Sequence, residues 1–169
     1  MDAAELRATQ APIKERYKQD PAAAVITLKA KGSIEQDGIA CKIETGRALA
    51  VAGLHPATGG SGLELCSGDM LLEALVACAG VTLKSVATAT DVPLRQGLVI
   101  AEGDLDFRGT LGVDKEAPVG FAEIRLRFEV ATDEPQDKLD LLLKLTERYC
   151  VVYQTIRNGP KVSVSMKRI

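Results

Sequence analysis

Alternation of hydrophobic and polar residues predicts most of the strands. Three short β-compatible runs, separated by turn-forming residues, predict an antiparallel meander over Ala24–Ala30, Ile39–Ile43 and Ala48–Ala52. A stricter alternation predicts two longer strands over Leu98–Phe107 and Phe121–Val130, each with one face toward solvent. We expect these two strands to pair with each other.

Apolar residues that recur at helical spacing predict two helices. The run LLEALVACAGVTLKS, residues 71–85, is apolar on nearly all sides and predicts a buried central helix that begins near Ser67 and ends near Thr88. Gln136–Cys150 carries leucines at helical spacing and predicts a second helix that covers the sheet. The alternation in Lys161–Met166 (KVSVSM) predicts a terminal strand. Because one sheet covers only one side of the central helix, we expect a two-fold dimer.

The beginning of the chain is polar and helix-prone. Pro12 interrupts this stretch, and Asp20-Pro21 ends it because a proline ring restricts the residue before it. We expect residues 1–20 to form an N-terminal helical arm that docks on a partner or frays. Residues 21–169 are predicted to form a single domain, since no linker or repeat divides them.

Composition narrows the range of functions. The 169-residue chain has 46% hydrophobic and 26% charged residues, which is typical of one globular domain. Its formal net charge of −2 provides no positive field that would attract a nucleic acid. The start lacks a signal-peptide pattern, and no uninterrupted apolar run approaches the length that crosses a bilayer. We therefore expect a cytoplasmic protein with no membrane partner, whose four cysteines are reduced at rest.

Several common kinds of site are not indicated. The glycine-rich loop over residues 53–62 lacks the lysine and the spacing of a phosphate-binding loop. A single histidine, His55, and the absence of C-x-x-C spacing argue against zinc, so no metal and no cofactor is expected. A cysteine hydrolase built from His55, Cys78 and a carboxylate stays open as an alternative.

The thiols are the remaining candidates for chemistry. Cys78 lies among apolar neighbours in the central helix, which favours a packing role, because a thiol in such surroundings has a raised pKa and is inert. Cys150 differs, since it ends a helix directly after Arg148-Tyr149 and so has a cation and an aromatic ring close by. Cys41 and Cys66 are interpreted as structural, with Cys66 kept as an alternative resolving thiol near the helix entrance.

Two segments carry a resemblance to a known family. ALVAC (74–78) inside the apolar helix, followed by ERYC with VY behind it (147–153), resembles the OsmC/Ohr family of thiol-dependent peroxidases in order and spacing over residues 22–169. The resemblance implies an α+β fold in which antiparallel sheets wrap around central helices in an intertwined homodimer, with the sites at the dimer interface. It also implies an organic hydroperoxide and a dithiol reductant as partners.

The same resemblance assigns chemical roles. Cys78 would be the peroxidatic thiol, oxidised to a sulfenic acid, and Cys150 the resolving thiol that condenses with it. Peroxidases of the family also have an activating Arg in the N-terminal strand region and a Glu shortly before the first cysteine. Here Gly68 stands at the glutamate position, and no arginine occurs from Tyr17 to Gly46.

Other residues could replace this activating pair. The candidate for the carboxylate is Asp69, one residue after Gly68, and the candidates for the cation are Lys29, Lys31, Arg47 and Arg148. Val151 stands where a proline often follows the second cysteine in the family. The alternative function is that of a non-catalytic member, which holds a small apolar ligand at the dimer interface and keeps its cysteines for packing.

Overall fold

The computed structural model of the chain describes residues 3–34, 41–43, 53–63 and 65–168. The helices are α1 (Ala3–Gln19), α2 (Ser67–Ala89), α3 (Phe107–Thr110), α4 (Gln136–Tyr149) and α5 (Val151–Asn158). The strands are β1 (Val25–Ile34), β2 (Cys41–Ile43), β3 (Gln96–Asp106) and β4 (Phe121–Ala131). Short 3₁₀ turns at Pro21–Ala24 and Pro56–Thr58 complete the described elements.

The strands form one antiparallel sheet in the order β2-β1-β3-β4. β3 lies at its centre and pairs with β1 from Val25 opposite Asp106 onward, and with β4 from Gln96 opposite Ala131 onward. The predicted pairing of the two long alternating strands is confirmed, because β3 and β4 pair from Gln96 opposite Ala131 to Leu105 opposite Phe121. The predicted strand Ala48–Ala52 lies outside the described residues.

Helix α2 lies on the sheet and provides the centre of the core. It packs against β1 and β3, and α4 packs against α2. Its buried residues recur at helical spacing and are Leu72, Leu75, Val76, Ala79, Gly80, Leu83 and Ala87. Each fully buried leucine contributes about 1.5–3 kcal/mol relative to an exposed one. The prediction that Gln136–Cys150 covers the sheet is therefore wrong, because α2 takes that position and α4 forms the next layer.

The opposite side of α2 is not covered by the described part of the chain. Leu71 and Val81 are 40% and 39% exposed, and Ala74 between them is exposed too. By length and composition α2 would be able to cross a membrane, with a mean hydropathy of 1.7 over its most apolar window, and 39% of that window is buried in this fold. The helix thus has one face in the core and one apolar face without a neighbour among the described residues.

The N-terminal helix docks on its own chain, so the prediction of a fraying arm is wrong. Tyr17 is completely buried against Phe107 and Leu111, and its hydroxyl donates a 2.8 Å hydrogen bond to the carbonyl of Ala57. Helix α1 also continues through Pro12, which is exposed. The packing around Tyr17 outweighs the one helical hydrogen bond that a proline removes.

The C-terminal end also departs from prediction. Helix α4 ends at Tyr149, one extended residue follows, and α5 runs to Asn158. Residues 159–168 form no regular element, so the predicted strand Lys161–Met166 is wrong for the single chain. Its alternating residues Val162 and Met166 are 81% and 100% exposed. Alternation alone does not make a strand, because a strand needs a neighbour whose backbone it can pair with.

Candidate functional site

Cys150 occupies the break between α4 and α5. Its backbone is extended, with φ −72° and ψ 107°, and its side chain is only 1% exposed. The N–H of Cys150 donates to the carbonyl of Thr146 at 2.9 Å, and the N–H of Gln154 donates to the carbonyl of Cys150 at 2.9 Å. Both helices therefore hold Cys150 in place, and its thiol is directed into the protein.

The fold brings Cys78 of α2 to this break. Cys78 is partly buried, and the thiol of Cys150 donates a hydrogen bond to its sulfur. The hydroxyl of Thr82, one turn further along α2, donates to the backbone carbonyl of Cys78 at 2.7 Å. Since a hydroxyl has one hydrogen, Thr82 donates to this carbonyl rather than to the sulfur. The two thiols that the resemblance singled out are thus direct neighbours.

The first turn of α5 supplies two further donors that the sequence did not reveal. The backbone N–H groups of Val152 and Val151 donate hydrogen bonds to the sulfur of Cys78. The first N–H groups of any helix have no partner inside that helix and are available in this way. Side-chain patterns carry no sign of a backbone donor. The one signal in the sequence was that Cys150 ends the predicted second helix.

These contacts separate the two thiols electrostatically. Burial raises the pKa of Cys78, but the hydrogen bonds from Val152, Cys150 and Val151 more than offset this and leave that pKa below the ordinary value of a cysteine. Burial raises the pKa of Cys150 to about 11; the hydrogen bond to Cys78 and the charge of Cys78 add to the rise, and the N–H groups of Tyr153 and Val152 offset only part of it. Cys78 therefore loses its proton first.

Asp69 is not brought to Cys78 within one chain. It lies in the first turn of α2, nine residues before Cys78, which is about 13.5 Å along the axis of a helix. Burial raises the pKa of Asp69, and the nearby His55 lowers it in part. Burial also raises the pKa of Glu73, as does the charge of Asp69. Asp69 thus faces His55 and Glu73.

Arg148 lies on the outer surface. Its guanidinium is 5.6 Å from the centre of the Tyr149 ring, and both residues are exposed. The side chains of Lys29 and Lys31, and all of Arg47, lie outside the described part of the chain. The groups that lower the pKa of Cys78 most are thus backbone amides and the second thiol, and no cationic side chain of the described residues is among them.

His55 and Cys66 occupy a separate region at the start of α2. The Nδ1 atom of His55 accepts a 3.0 Å hydrogen bond from the N–H of Ala57, and its ring stacks on Phe107 at 5.0 Å. Cys66 is the N-cap residue of α2, and both residues line a cavity of about 400 Å³. A cysteine hydrolase would require His55 to contact Cys78, and the structure does not bring these two residues together. The side chain of Cys41 lies outside the described residues, among which no metal-binding cluster of His, Cys, Asp or Glu occurs.

A second cavity, of about 510 Å³, lies near the two thiols, although neither thiol lines it. Leu75, one turn before Cys78, and Tyr153, one turn after Cys150, both line it. The other lining residues are Phe121, Ala122, Glu123, Ile124, Leu126, Glu147, Ile156 and Arg157. The cavity is mostly apolar and suits an organic molecule about one helical turn from each cysteine.

The chain is similar in fold to a crystal structure of an OsmC-like hydroperoxide resistance protein from Jannaschia sp. CCS1, with a TM-score of 0.64 and 13% sequence identity. The match covers 86% of this chain and 95% of that one. No match is found among curated proteins. A family model described as OsmC-like protein matches residues 60–165, which is more than half of the chain and includes both Cys78 and Cys150. The chain therefore belongs to the family of OsmC-like proteins.

Proposed function

We propose that this protein is a thiol-dependent peroxidase that reduces organic hydroperoxides through Cys78 and Cys150. The observation that carries the proposal is the hydrogen bond between the two thiols, together with the opposite directions of their pKa shifts. One thiol is prepared to react as a thiolate, and the other keeps its proton beside it. The fold shared with a hydroperoxide resistance protein supports the same chemistry.

The reaction proceeds in two steps at sulfur. The thiolate of Cys78 attacks the terminal oxygen of the hydroperoxide, the O–O bond breaks, and the alkoxide takes a proton from water and leaves as the alcohol. Cys78 is now a sulfenic acid. The sulfur of Cys150 attacks it, a disulfide forms, and the proton of Cys150 leaves with the hydroxide as water.

A dithiol reductant then restores the enzyme. It reduces the Cys78–Cys150 disulfide by exchange and is itself oxidised to a disulfide, so the two electrons that the hydroperoxide received come from the reductant. Such a cycle suits a reducing compartment, and we propose that the protein works in the cytoplasm. The described cysteines, Cys66, Cys78 and Cys150, are all free thiols in this structure.

The apolar cavity beside the thiols favours an organic substrate over hydrogen peroxide. An alkyl group that enters the space between Leu75 and Ile156 buries apolar surface, which hydrogen peroxide cannot do. We expect kcat/KM for cumene hydroperoxide to exceed that for hydrogen peroxide by at least about tenfold, the effect of burying roughly two methylene groups.

The test is a stoichiometric titration of the reduced protein with cumene hydroperoxide, followed by non-reducing peptide mapping. One equivalent should consume two thiols and give a Cys78–Cys150 crosslink. Cys150→Ser should stop at a sulfenic acid on Cys78 that dimedone traps, and Cys78→Ser should consume no peroxide. Cys66→Ser is the matched control and should behave as the unmodified protein. Peroxide consumption that survives Cys78→Ser would overturn the proposal.

A non-catalytic role in binding a small apolar ligand is the second candidate. The 510 Å³ cavity favours it, because that volume suits a ligand whether or not the thiols react. Loss of a single fast-reacting thiol with no crosslink after one equivalent of peroxide would support this function over the peroxidase.

We also propose that the protein is a two-fold homodimer, intertwined through its ends. The uncovered apolar face of α2 at Leu71 and Val81, and the exposed alternating residues Val162, Val164 and Met166, offer a second copy two surfaces to cover. A C-terminal segment that pairs with the sheet of the other chain would become the strand that its sequence predicts. Sedimentation that shows a stable folded monomer at micromolar concentration would contradict this assembly.

A further inference from the structure

The first turn of α5 lies against the sulfur of Cys78. The earliest hydrogen bond inside this helix runs from the N–H of Gln154 to the carbonyl of Cys150. The N–H groups of Val151 and Val152 come before it and have no helical partner, and both donate to Cys78. Two donors without a helical partner thus meet the sulfur of Cys78 across the α2–α5 contact, where the thiol of Cys150 also donates to that sulfur and shares the N–H of Val152.

Such an arrangement stabilises a thiolate without a charged side chain. Hydrogen bonds to an ionised acceptor are roughly twice as strong as those to a neutral one. The N-terminus of a helix also carries a partial positive charge, because its peptide dipoles are aligned. Both effects favour the anionic form of Cys78, against the burial that disfavours it.

We propose that the backbone N–H groups of Val151 and Val152 are the activating group of Cys78 and take the place of a cationic side chain. The significance of this for peroxide reduction rests on the proposed function. The effect on the thiol itself does not, and it can be measured without any peroxide. Val151 and Val152 act through their amides, so their side chains matter little to the activation.

Position 151 allows one of these donors to be removed cleanly. Proline has no N–H and is favoured at the first residue of a helix, which is the place of Val151. The residue before a proline must be extended, and Cys150 already is, with ψ 107°. The side chain of Val151 is 70% exposed, so a proline ring has room. Val151→Pro should therefore keep the fold and lose one hydrogen bond to Cys78.

Charged groups near Cys78 do not complicate the comparison. Cys150 contacts it from the α4–α5 junction, Glu147 of α4 and Arg157 of α5 line the adjoining cavity, and Glu73 lies on an earlier turn of α2. The side chains of β1 that face α2 lie outside the described residues. Val151→Pro and Val151→Ala change none of these groups, so their contributions cancel between the two variants.

The experiment is the pH dependence of iodoacetamide alkylation of Cys78, followed by mass mapping of its peptide in the reduced full-length protein. Val151→Ala removes the side chain and keeps the N–H, so the difference between the Pro and Ala variants reports the hydrogen bond alone. We expect Val151→Pro to react about tenfold more slowly than Val151→Ala at pH 7, with its midpoint at higher pH, since one bond to a charged group is lost. Identical profiles for the two variants would overturn the proposal.

A second measurement protects the test against a variant that fails to fold. In the unmodified protein, the amide proton shifts of Val151 and Val152 should titrate together with Cys78, and this titration should disappear in Cys78→Ser. Shifts that do not follow the thiol would refute the assignment. If alkylation and shifts behave as expected but cumene hydroperoxide is not consumed, the peroxidase proposal fails and the activating role of the amides stands.

Discussion

The docking of α1 depends on Tyr17, and two substitutions separate its contributions. Tyr17→Phe removes only the hydrogen bond to Ala57, which should cost about 1 kcal/mol. Tyr17→Ala removes the ring as well. A fully buried aromatic side chain covers about 150–250 Å², worth roughly 4–6 kcal/mol as an upper bound at about 25 cal/mol per Å². Measured truncations of buried aromatic residues cost about 3–5 kcal/mol, so we expect a loss in that range.

The assay is urea unfolding followed by circular dichroism, with amide hydrogen exchange of α1 measured in parallel. Tyr17→Ala should be less stable than Tyr17→Phe by about 2–4 kcal/mol and should exchange faster in α1. Tyr149→Ala is the matched control, because that tyrosine is 57% exposed and its loss should cost less than about 1 kcal/mol. If Tyr17→Ala keeps the stability of the unmodified protein and α1 already exchanges freely, the docking of α1 contributes nothing and the reasoning is refuted.

Three further predictions concern separate parts of the molecule. Gly59→Ala should lower the free energy of unfolding in urea by at least about 1 kcal/mol more than Gly112→Ala does. Both glycines have positive φ, but only the new Cβ at position 59 would come within 2.8 Å of an atom of α1. Cys150→Ala should move the alkylation midpoint of Cys78 to higher pH, since it removes a hydrogen bond that lowers the pKa of Cys78; an unchanged midpoint would contradict this. Arg125 holds the pKa of Asp104 at about 2, below its ordinary 3.8, so the stability of this ion pair is present above about pH 4 and is lost as the pH falls through 2. Arg125→Gln should therefore be less stable than the unmodified protein at pH 6, and the difference should shrink as the pH falls below 4 and vanish below pH 2.

Those parts of the fold that depend on local periodicity could be predicted from the sequence. The strands around Leu98–Phe107 and Phe121–Val130 were found because each alternates between a covered and an uncovered face. The burial of Tyr17 could not be predicted, because it depends on a turn at Pro56–Thr58 that lies far away in the sequence. A strand at Lys161–Met166 was predicted because alternation reports a side-chain pattern and not the presence of a neighbouring backbone.

The candidate site divides in the same way. The pairing of Cys78 with Cys150 came from a resemblance, and the structure brings the two thiols into contact. The activating group was expected among charged side chains, with Asp69 and Arg148 as substitutes, because sequence motifs consist of side chains. The donors that the structure places on Cys78 are backbone N–H groups, which every residue except proline carries and which only the fold can orient.

The position of α5 links its rigidity to the oxidation state of the protein. A disulfide between Cys78 and Cys150 carries no charge, so oxidation removes the anion that the positive end of α5 holds. None of the residues of α5 is fully buried and the helix is only eight residues long, so contact with this anion adds to the packing of Val152, Tyr153 and Ile156 that holds the helix in place. In the proposed cycle, the oxidised protein should fray at α5 and uncover the sulfur pair at the stage when the dithiol reductant must reach it.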